Sequence, residues 1–265
     1  MAKFSISQIR NFKTCRRSYF FRYIEELEPV QKAEALQLGG NYHELIEWLY
    51  EHDSLDGVEE DNSKELAMAC AYWKYIYPQF KVKAVEEEFE YPLQNGHTLF
   101  GRVDGVAEDG SLVEHKTTSS EIGEQYEYNL LWDEQILAYM LAYGVNKMYY
   151  TVCRKPTIRQ KQNETEEEFF HRMIEWYDTD TDKKIKVLLI ERTDEEIEQF
   201  HRQIELLTRD IESTYNFYPN CQWCNVWGRR CDYSSICLNY DPNQQYIEFE
   251  KVERRKDDNE TNNNI

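Results

Sequence analysis

The spacing of apolar residues indicates helices in the first third of the chain. Ile6, Ile9 and Phe12 recur every three or four residues after Ser5, a residue type typical of a helix N-cap. Similar spacing predicts two further helices, at about 39–52 and at 63–80. The chain therefore opens with helical structure.

The pattern changes at residue 82, where strand-like segments begin. Short runs rich in β-branched and aromatic residues predict strands at 82–93, 99–107, 111–118, 147–154 and 184–192. Helical spacing returns between and after them, at 130–143, 164–177 and 194–215. This order predicts an α/β fold in which a small central mixed sheet is flanked by helices.

One turn sets how the second and third strands pair. Glu108-Asp109-Gly110 can form a three-residue hairpin loop, because its last position requires a left-handed backbone and Gly110 suits that. Ala107 then pairs with Ser111, and Asp104 lies opposite Glu114. A two-residue loop would instead place Asp104 opposite His115.

The hairpin places chemically active groups on one face. Residues two apart in a strand share a face, so Glu114 and Lys116 point the same way, and Asp104 joins them across the pair. Two close carboxylates favour a hard cation such as Mg²⁺ or Mn²⁺ between them, with Lys116 placed to orient water and stabilise charge. The His115 carbonyl is a further candidate ligand, as is Glu86 in the preceding strand. The alternative is an ordinary solvated face.

Charge changes the picture, because the chain has 31 Lys+Arg against 50 Asp+Glu, a net charge of −19. Such a balance argues against a polyanionic partner. The charge is segregated, however: residues 1–24 hold six basic residues and no acid, and 154–161 hold four and no acid. These basic segments predict contacts with DNA phosphates and bases, made by Arg16, Arg17, Tyr19, Arg154 and Lys155. Alternatively, the aromatic residues are core and the arginines solvated.

Cysteines are concentrated near the end of the chain. Cys221, Cys224, Cys231 and Cys237 fall within 17 residues, whereas Cys15, Cys70 and Cys153 are scattered. In a chain that opens without an apolar signal core, thiols or metal ligands are favoured over disulfides. Two arrangements fit: a local zinc site, or a [4Fe–4S] cluster that also uses Cys15.

Three motifs together resemble the PD-(D/E)XK nuclease superfamily, and more specifically its RecB-like branch. They are Gly101-Arg102-Val103-Asp104, Glu114-His115-Lys116-Thr117, and Gln135 followed by Tyr139. That branch includes CRISPR-associated nucleases, AddAB-type nucleases and many phage exonucleases. Val103 stands where proline is common, and polar His115 stands where an apolar residue is more usual.

The resemblance implies roles for individual residues. His43, in the Gly39-Gly40-Asn41-Tyr42-His43 context, would be a metal ligand beside Asp104 and Glu114. Lys116 would be the catalytic lysine. Gln135 and Tyr139 would contact DNA or the attacking water.

The resemblance also favours the iron–sulfur arrangement. It implies a [4Fe–4S] cluster held by Cys15, Cys224, Cys231 and Cys237, with Cys221 able to replace Cys224 and Zn²⁺ as the alternative metal. The expected organisation is a single RecB-like domain over 1–250. Its parts are a catalytic core at 82–192, an iron–sulfur staple from 1–24 plus 216–240, and a disordered tail at 253–265.

The sequence thus predicts a divalent-metal-dependent DNA exonuclease. It would act on single-stranded or duplex ends in the cytoplasm of a bacterial host, in phage or prophage recombination, replication or repair. A recombination or replication protein is a candidate partner, and no membrane is involved. The alternatives are a CRISPR-adaptation nuclease that processes DNA ends, and a catalytically silent, cluster-stapled module that binds DNA or protein.

Overall fold

The computed structural model describes residues 2–31, 34–58, 63–226 and 229–252. Its contacts divide the chain into two compact units. The terminal unit comprises residues 1–32, 90–101 and 199–265, and the central unit comprises 33–89 and 102–198. The tail predicted to be disordered, 253–265, lies outside the described residues.

The helices closely follow the predicted positions. The α-helices are α1 (Ile6–Thr14), α2 (Arg16–Tyr19), α3 (Glu34–His52), α4 (Lys64–Tyr75), α5 (Glu124–Leu130), α6 (Glu134–Tyr143), α7 (Glu166–Glu175) and α8 (Asp194–Ser213). A π-helical turn, Phe20–Ile24, follows α2, and 3-10 turns lie at Tyr77–Gln79, Trp176–Asp178, Thr181–Lys183 and Cys221–Trp223. Helices α2 and α5 were not predicted, and α3 begins earlier than expected.

The predicted strands are all present, with short ones added at both ends of the chain. They are β1 (Lys3–Ser5), β2 (Leu27–Pro29), β3 (Val82–Pro92), β4 (Thr98–Ala107), β5 (Leu112–Thr118), β6 (Lys147–Arg154), β7 (Ile185–Glu191), β8 (Asn225–Val226), β9 (Arg229–Arg230) and β10 (Phe249–Lys251).

The central unit is built on a mixed sheet. Strand β3 pairs with β4, and β4, β5, β6 and β7 follow in that order. The β4–β5 and β6–β7 pairs are antiparallel, whereas β5 and β6 are parallel and are connected through α5 and α6. A parallel pair needs such a crossover. The predicted α/β class with a central mixed sheet is confirmed.

The predicted hairpin register is also confirmed. Gly105 pairs with Val113 and Val106 with Leu112, so the same register places Asp104 opposite Glu114. The Gly110 N–H donates to the Ala107 carbonyl at 3.0 Å, and Gly110 has φ +87°. The loop therefore has three residues.

Replacing Gly110 with alanine should destabilise the protein by about 1 kcal/mol, because a Cβ is unfavourable at positive φ. Denaturant unfolding measures the change. Gly40→Ala is the control: a Cβ there meets nothing within 4 Å, and alanine favours the helix α3, so its stability should not fall. Equal loss in both variants would contradict a special role for the turn.

Two apolar clusters cover the faces of the central sheet. One joins Leu49 of α3, Met68 of α4 and Ile185 of β7, and the other joins Leu112 of β5 and Ile136 of α6. Burying each such side chain contributes roughly 1.5–3 kcal/mol. This packing fixes α3 and α6 against the strands that carry the predicted chemistry.

The terminal unit brings the two ends of the chain together. Strand β1 runs parallel to the first residues of β4, with Phe4 opposite Leu99, and β2 pairs antiparallel with β10. Its apolar cluster joins residues from both ends, Phe21, Leu27, Tyr233, Ile236 and Phe249. Ser5 caps α1 as predicted. No helix among the described residues is long and apolar enough to cross a membrane.

Candidate active site

Three potential metal ligands converge in the central unit. His43 of α3, Glu86 of β3 and Asp104 of β4 each offer one ligand atom, and these atoms lie within 4.8 Å of one another. His43 Nδ1 is 3.6 Å from Asp104 Oδ1. Burial alone would lower the pKa of His43, but contact with the Asp104 carboxylate outweighs burial and raises it. The sequence-predicted pair His43 and Asp104 is therefore brought together.

Asp104 is held in its charged form. The backbone N–H of His115 donates to Asp104 Oδ2 at 2.6 Å. Burial would raise the pKa of Asp104, but the hydrogen bond and charge of His43 outweigh burial and lower it to about 2. An ionised, buried carboxylate is suited to a cation.

Glu114 and Lys116 form a buried pair on β5. The Lys116 ammonium donates to Glu114 Oε1, and the Glu114 side chain is 2% exposed. Burial, and next the charge of Asp104, raises the pKa of Glu114 to about 7, although Lys116 opposes them. Burial would lower the pKa of Lys116, but Glu114 and Asp104 raise it. Lys116 is thus charged at neutral pH.

One oxygen of this pair lacks a partner. Glu114 Oε2 is buried and has no hydrogen bond among the described residues. A buried carboxylate oxygen without a partner is costly unless a proton or a cation satisfies it. Among the described residues, the group whose ligand atoms lie within 4.8 Å of one another is His43, Glu86 and Asp104, and Glu114 is not part of it. The oxygen and nitrogen donors of that group suit a hard divalent cation.

Glu86 reaches this site through an unusual backbone. Its φ is +52°, in the left-handed region, which costs a residue with a Cβ about 1–2 kcal/mol. Burial raises the pKa of Glu86, and Arg102, whose Nε lies 2.5 Å from Glu86 Oε2, opposes that shift. In the sequence, nothing separates Glu86 from the acidic residues that follow it. In the structure, the left-handed backbone at Glu86 distinguishes it from those residues, and its carboxylate lies in the ligand group.

The His115 side chain points away from these groups. Its Nδ1 lies 2.7 Å from Thr151 Oγ1, and its ring packs against Tyr50 and Tyr72. Burial lowers its pKa to about 3, so the imidazole is neutral. The side chain therefore belongs to the core, and His115 contributes to the site through its backbone. Ligation by its carbonyl stays a prediction.

Gln135 and Tyr139 act as a connected pair on α6. Asp133 caps this helix by accepting from the Gln135 N–H at 3.0 Å. One turn later, the Gln135 side-chain amide donates to the Tyr139 hydroxyl at 2.6 Å. Tyr139 is 5% exposed, and burial, followed by the charge of Glu114, raises its pKa. The buried tyrosine thus fixes the Gln135 side chain on α6.

The terminal unit gathers the four cysteines predicted as cluster ligands. Asn220 donates its N–H to Cys15 Sγ at 3.3 Å, which ties the two chain ends together. Burial raises the pKa of Cys237, Arg17 opposes it, and the thiols of Cys15, Cys224 and Cys231 raise it further. Cys221 is exposed. In the described ranges, however, no three cysteine sulfurs all lie within 4.8 Å of one another.

The first basic segment is partly built into the core of the terminal unit. The Arg16 guanidinium lies 4.8 Å above the Phe12 ring, and that of Arg17 lies 4.8 Å above Phe21. Tyr19 is 4% exposed and packs against Phe12 and Phe217. Its burial does not fit the expected stacking on DNA bases.

The second basic segment begins at the end of β6 in the central unit. The Arg154 guanidinium lies 5.7 Å from the Trp176 ring and 3.9 Å from Glu121. The Lys155 N–H donates to the Thr118 carbonyl at 2.8 Å. The last contact ties this segment to the end of β5, the strand that carries Glu114 and Lys116.

Comparison with family models gives a match to a nuclease superfamily. The model described as the PD-(D/E)XK nuclease superfamily matches residues 3–78 and 59–238. A search of curated proteins finds no match.

Several solved structures are similar to this chain. An inferred exonuclease from Eubacterium rectale is 14% identical over 92% of this chain and 90% of its own, with a TM-score of 0.55. An alkaline exonuclease from Laribacter hongkongensis is 14% identical over 80% and 88%, with a TM-score of 0.43. A phage-related exonuclease from Haemophilus somnus is 12% identical over 77% and 79%, with a TM-score of 0.41. At 14% identity, the similarity to the Eubacterium rectale structure shows a shared fold only.

Proposed function

The chain belongs to the PD-(D/E)XK nuclease superfamily, and from that premise we propose that it is a divalent-metal-dependent exonuclease acting on DNA ends. The observation that carries the proposal is the unpartnered oxygen of Glu114, buried beside a charged lysine and close enough to Asp104 for that carboxylate to raise its pKa. A charged lysine next to a carboxylate with one unpartnered oxygen is suited to phosphodiester hydrolysis. The similarity in fold to the inferred exonuclease from Eubacterium rectale supports the choice of reaction.

His43, Asp104 and Glu114 would hold the cation, with Glu86 as a further ligand. A divalent cation there would polarise the scissile phosphate and lower the pKa of a water molecule. Lys116, kept positive by Glu114 and Asp104, orients the attacking water and stabilises the charge that develops on the phosphate. Gln135, fixed by Tyr139, would contact DNA or the attacking water.

Binding to DNA would rest on few basic residues. Arg16, Arg17, Arg154 and Lys155 remain the proposed phosphate contacts, whereas Tyr19 is left out because it is buried. Few contacts on a chain of net charge −19 favour weak and salt-sensitive binding. A partner protein that loads the enzyme onto DNA would compensate for this.

The four cysteines predicted as ligands would hold a structural [4Fe–4S] cluster, and Zn²⁺ on the same thiols is the alternative. A cluster on Cys15, Cys224, Cys231 and Cys237 would staple the two ends of the terminal unit. Hydrolysis needs no redox step, so its role is to hold structure.

End-labelled linear DNA, single-stranded and duplex, tests the reaction in the presence of Mg²⁺ or Mn²⁺. Wild type should shorten linear DNA from its ends and leave circular single strands intact, and chelation should stop it. Asp104→Asn should be inactive, because it removes a charge from the cation site. Asp178→Asn, which alters an exposed carboxylate paired with Lys74, is the control.

The outcomes separate the alternatives. Cleavage of circles would make the protein an endonuclease. Wild type no more active than Asp104→Asn on every substrate would favour the catalytically silent binding module. Activity on DNA ends would not identify the pathway. Phage recombination, replication or repair in a bacterial host stays the prediction, with CRISPR adaptation as the alternative.

A further inference from the structure

Arg102 makes an ion pair with one of the candidate metal ligands. Its Nε lies 2.5 Å from Glu86 Oε2. The carboxylate of Glu86 also belongs to the group whose ligand atoms lie within 4.8 Å of one another, with His43 and Asp104. The Glu86 carboxylate is therefore shared between the Arg102 guanidinium and the candidate cation site.

The two side chains differ in their access to solvent. The Glu86 side chain is 17% exposed, whereas that of Arg102 is 60% exposed. Glu86 is thus fixed near the site, partly by its left-handed backbone, while the guanidinium is free to turn outwards. Of the two partners, Arg102 is the one that can leave.

A divalent cation would disfavour the ion pair. A guanidinium and a divalent cation that share one carboxylate repel each other at short range, and the cation has the larger charge. His43 and Asp104 offer the cation further ligand atoms, whereas the Arg102 guanidinium is paired with Glu86. Binding of the cation therefore weakens the hold on Arg102.

We propose that Arg102 is a phosphate-binding residue released by the metal: Glu86 holds the guanidinium until a divalent cation binds, and the freed guanidinium then contacts the DNA backbone. The exchange at Glu86 depends only on the cation, and the second half rests on the proposed action on DNA. A guanidinium suits phosphate because its planar donors match two oxygens at once. Arg102 also lies two residues from Asp104 on β4, beside the proposed reacting phosphate.

The exchange predicts reciprocal coupling. If the cation releases Arg102 for DNA, DNA that captures Arg102 also removes a competitor from Glu86 and strengthens cation binding by the same factor. The protein would therefore bind DNA more tightly when it holds the metal.

Calorimetric titration of the full chain with Mn²⁺ tests the exchange without measuring activity. Arg102→Gln should bind Mn²⁺ about two- to fivefold more tightly, the range expected when an exposed ion pair is removed. Glu86→Gln should bind about tenfold more weakly, because it loses a charged ligand. In the Glu86→Gln background, Arg102→Gln should not change the Mn²⁺ affinity further. The single variant Arg102→Lys keeps a positive charge that can pair with Glu86, so its Mn²⁺ affinity should be close to that of wild type. Thermal melting of each metal-free variant confirms that it folds.

Lys147→Gln is the matched control. Lys147 forms a surface ion pair with Glu191 at 2.9 Å in the same unit, so the variant removes one positive charge elsewhere. It should leave the Mn²⁺ affinity unchanged, because exposed charges at a distance are screened. An equal gain in Arg102→Gln and Lys147→Gln would overturn the exchange. Weaker Mn²⁺ binding in Arg102→Gln would also overturn it, and would make Arg102 a residue that positions Glu86.

Binding of a labelled single-stranded oligonucleotide tests the release. In the Lys116→Met background, which prevents cleavage, Mn²⁺ should increase DNA affinity. Adding Arg102→Gln should remove most of that gain and reduce the dependence of log affinity on log salt by about one. A gain that is unchanged by Arg102→Gln would overturn the release while leaving the proposed nuclease intact. No DNA binding with or without Mn²⁺ would overturn the release together with the proposed function.

Discussion

Replacing Lys116 with methionine should reduce hydrolysis of DNA ends by about a thousandfold, the size of effect seen when one group that stabilises a developing charge is removed. Methionine keeps the length and apolar stem of the side chain but loses the ammonium. Glu114 and Asp104 raise the pKa of that ammonium and so keep it charged, and Lys116 is paired directly with Glu114. The measurement is kcat/KM on linear DNA with saturating Mn²⁺.

Metal binding separates this effect from loss of the site. Lys116→Met should bind Mn²⁺ at least as tightly as wild type, because the variant removes a positive charge from beside the carboxylates. Lys186→Met is the control: that lysine lies on β7 of the same unit and pairs with Glu127 at 2.7 Å. Hydrolysis by Lys116→Met within about tenfold of wild type would rule out the catalytic role assigned to the ammonium.

The second large effect concerns the cysteines. Replacing Cys15 with serine should eliminate bound iron and sulfide and lower the melting temperature by about 10 °C or more. A cross-link between residue 15 and the last cysteines closes a loop of roughly two hundred residues, which in the chain-entropy model stabilises by on the order of 5 kcal/mol. For a domain of this size, 1 kcal/mol corresponds to about 2–4 °C. Anaerobic purification, metal analysis and calorimetry measure both quantities.

Two other cysteines serve as comparisons. Cys70→Ser changes a half-buried thiol of the central unit and should leave the iron content unchanged. Cys221→Ser should also retain iron, because Cys221 is exposed and the predicted set uses Cys224. Loss of iron in Cys221→Ser but not in Cys224→Ser would show that Cys221, and not Cys224, is the cluster ligand. A protein that contains zinc and no iron when purified without oxygen would refute the iron–sulfur proposal.

Much of the central unit could be predicted because its signals are local. Gly110 forces a three-residue loop, the loop fixes the pairing of β4 and β5, and the pairing places Asp104 across from Glu114. Each step spans only a few residues and follows from backbone geometry. The order of strands and helices likewise follows from apolar spacing.

Other features depend on contacts between residues far apart in sequence. Helix α5 carries a mostly polar sequence, and its place is set by the crossover from β5 to β6. Tyr19 reads as a base-stacking residue in a basic segment, yet Phe217, nearly two hundred residues later, packs against it. The local spacing of residues in the sequence does not indicate such distant partners.

By itself, the sequence determined the α/β order, the hairpin register, the Asp104, Glu114 and Lys116 face, and the motifs that identify the superfamily. These follow from turn chemistry and from the two-residue period of a strand. Only the tertiary structure decided that Glu86 turns into the site beside Arg102 and that the His115 side chain is a neutral core group. Burial and charge at a residue depend on every element packed around it, and that environment exists only once distant parts of the chain have met.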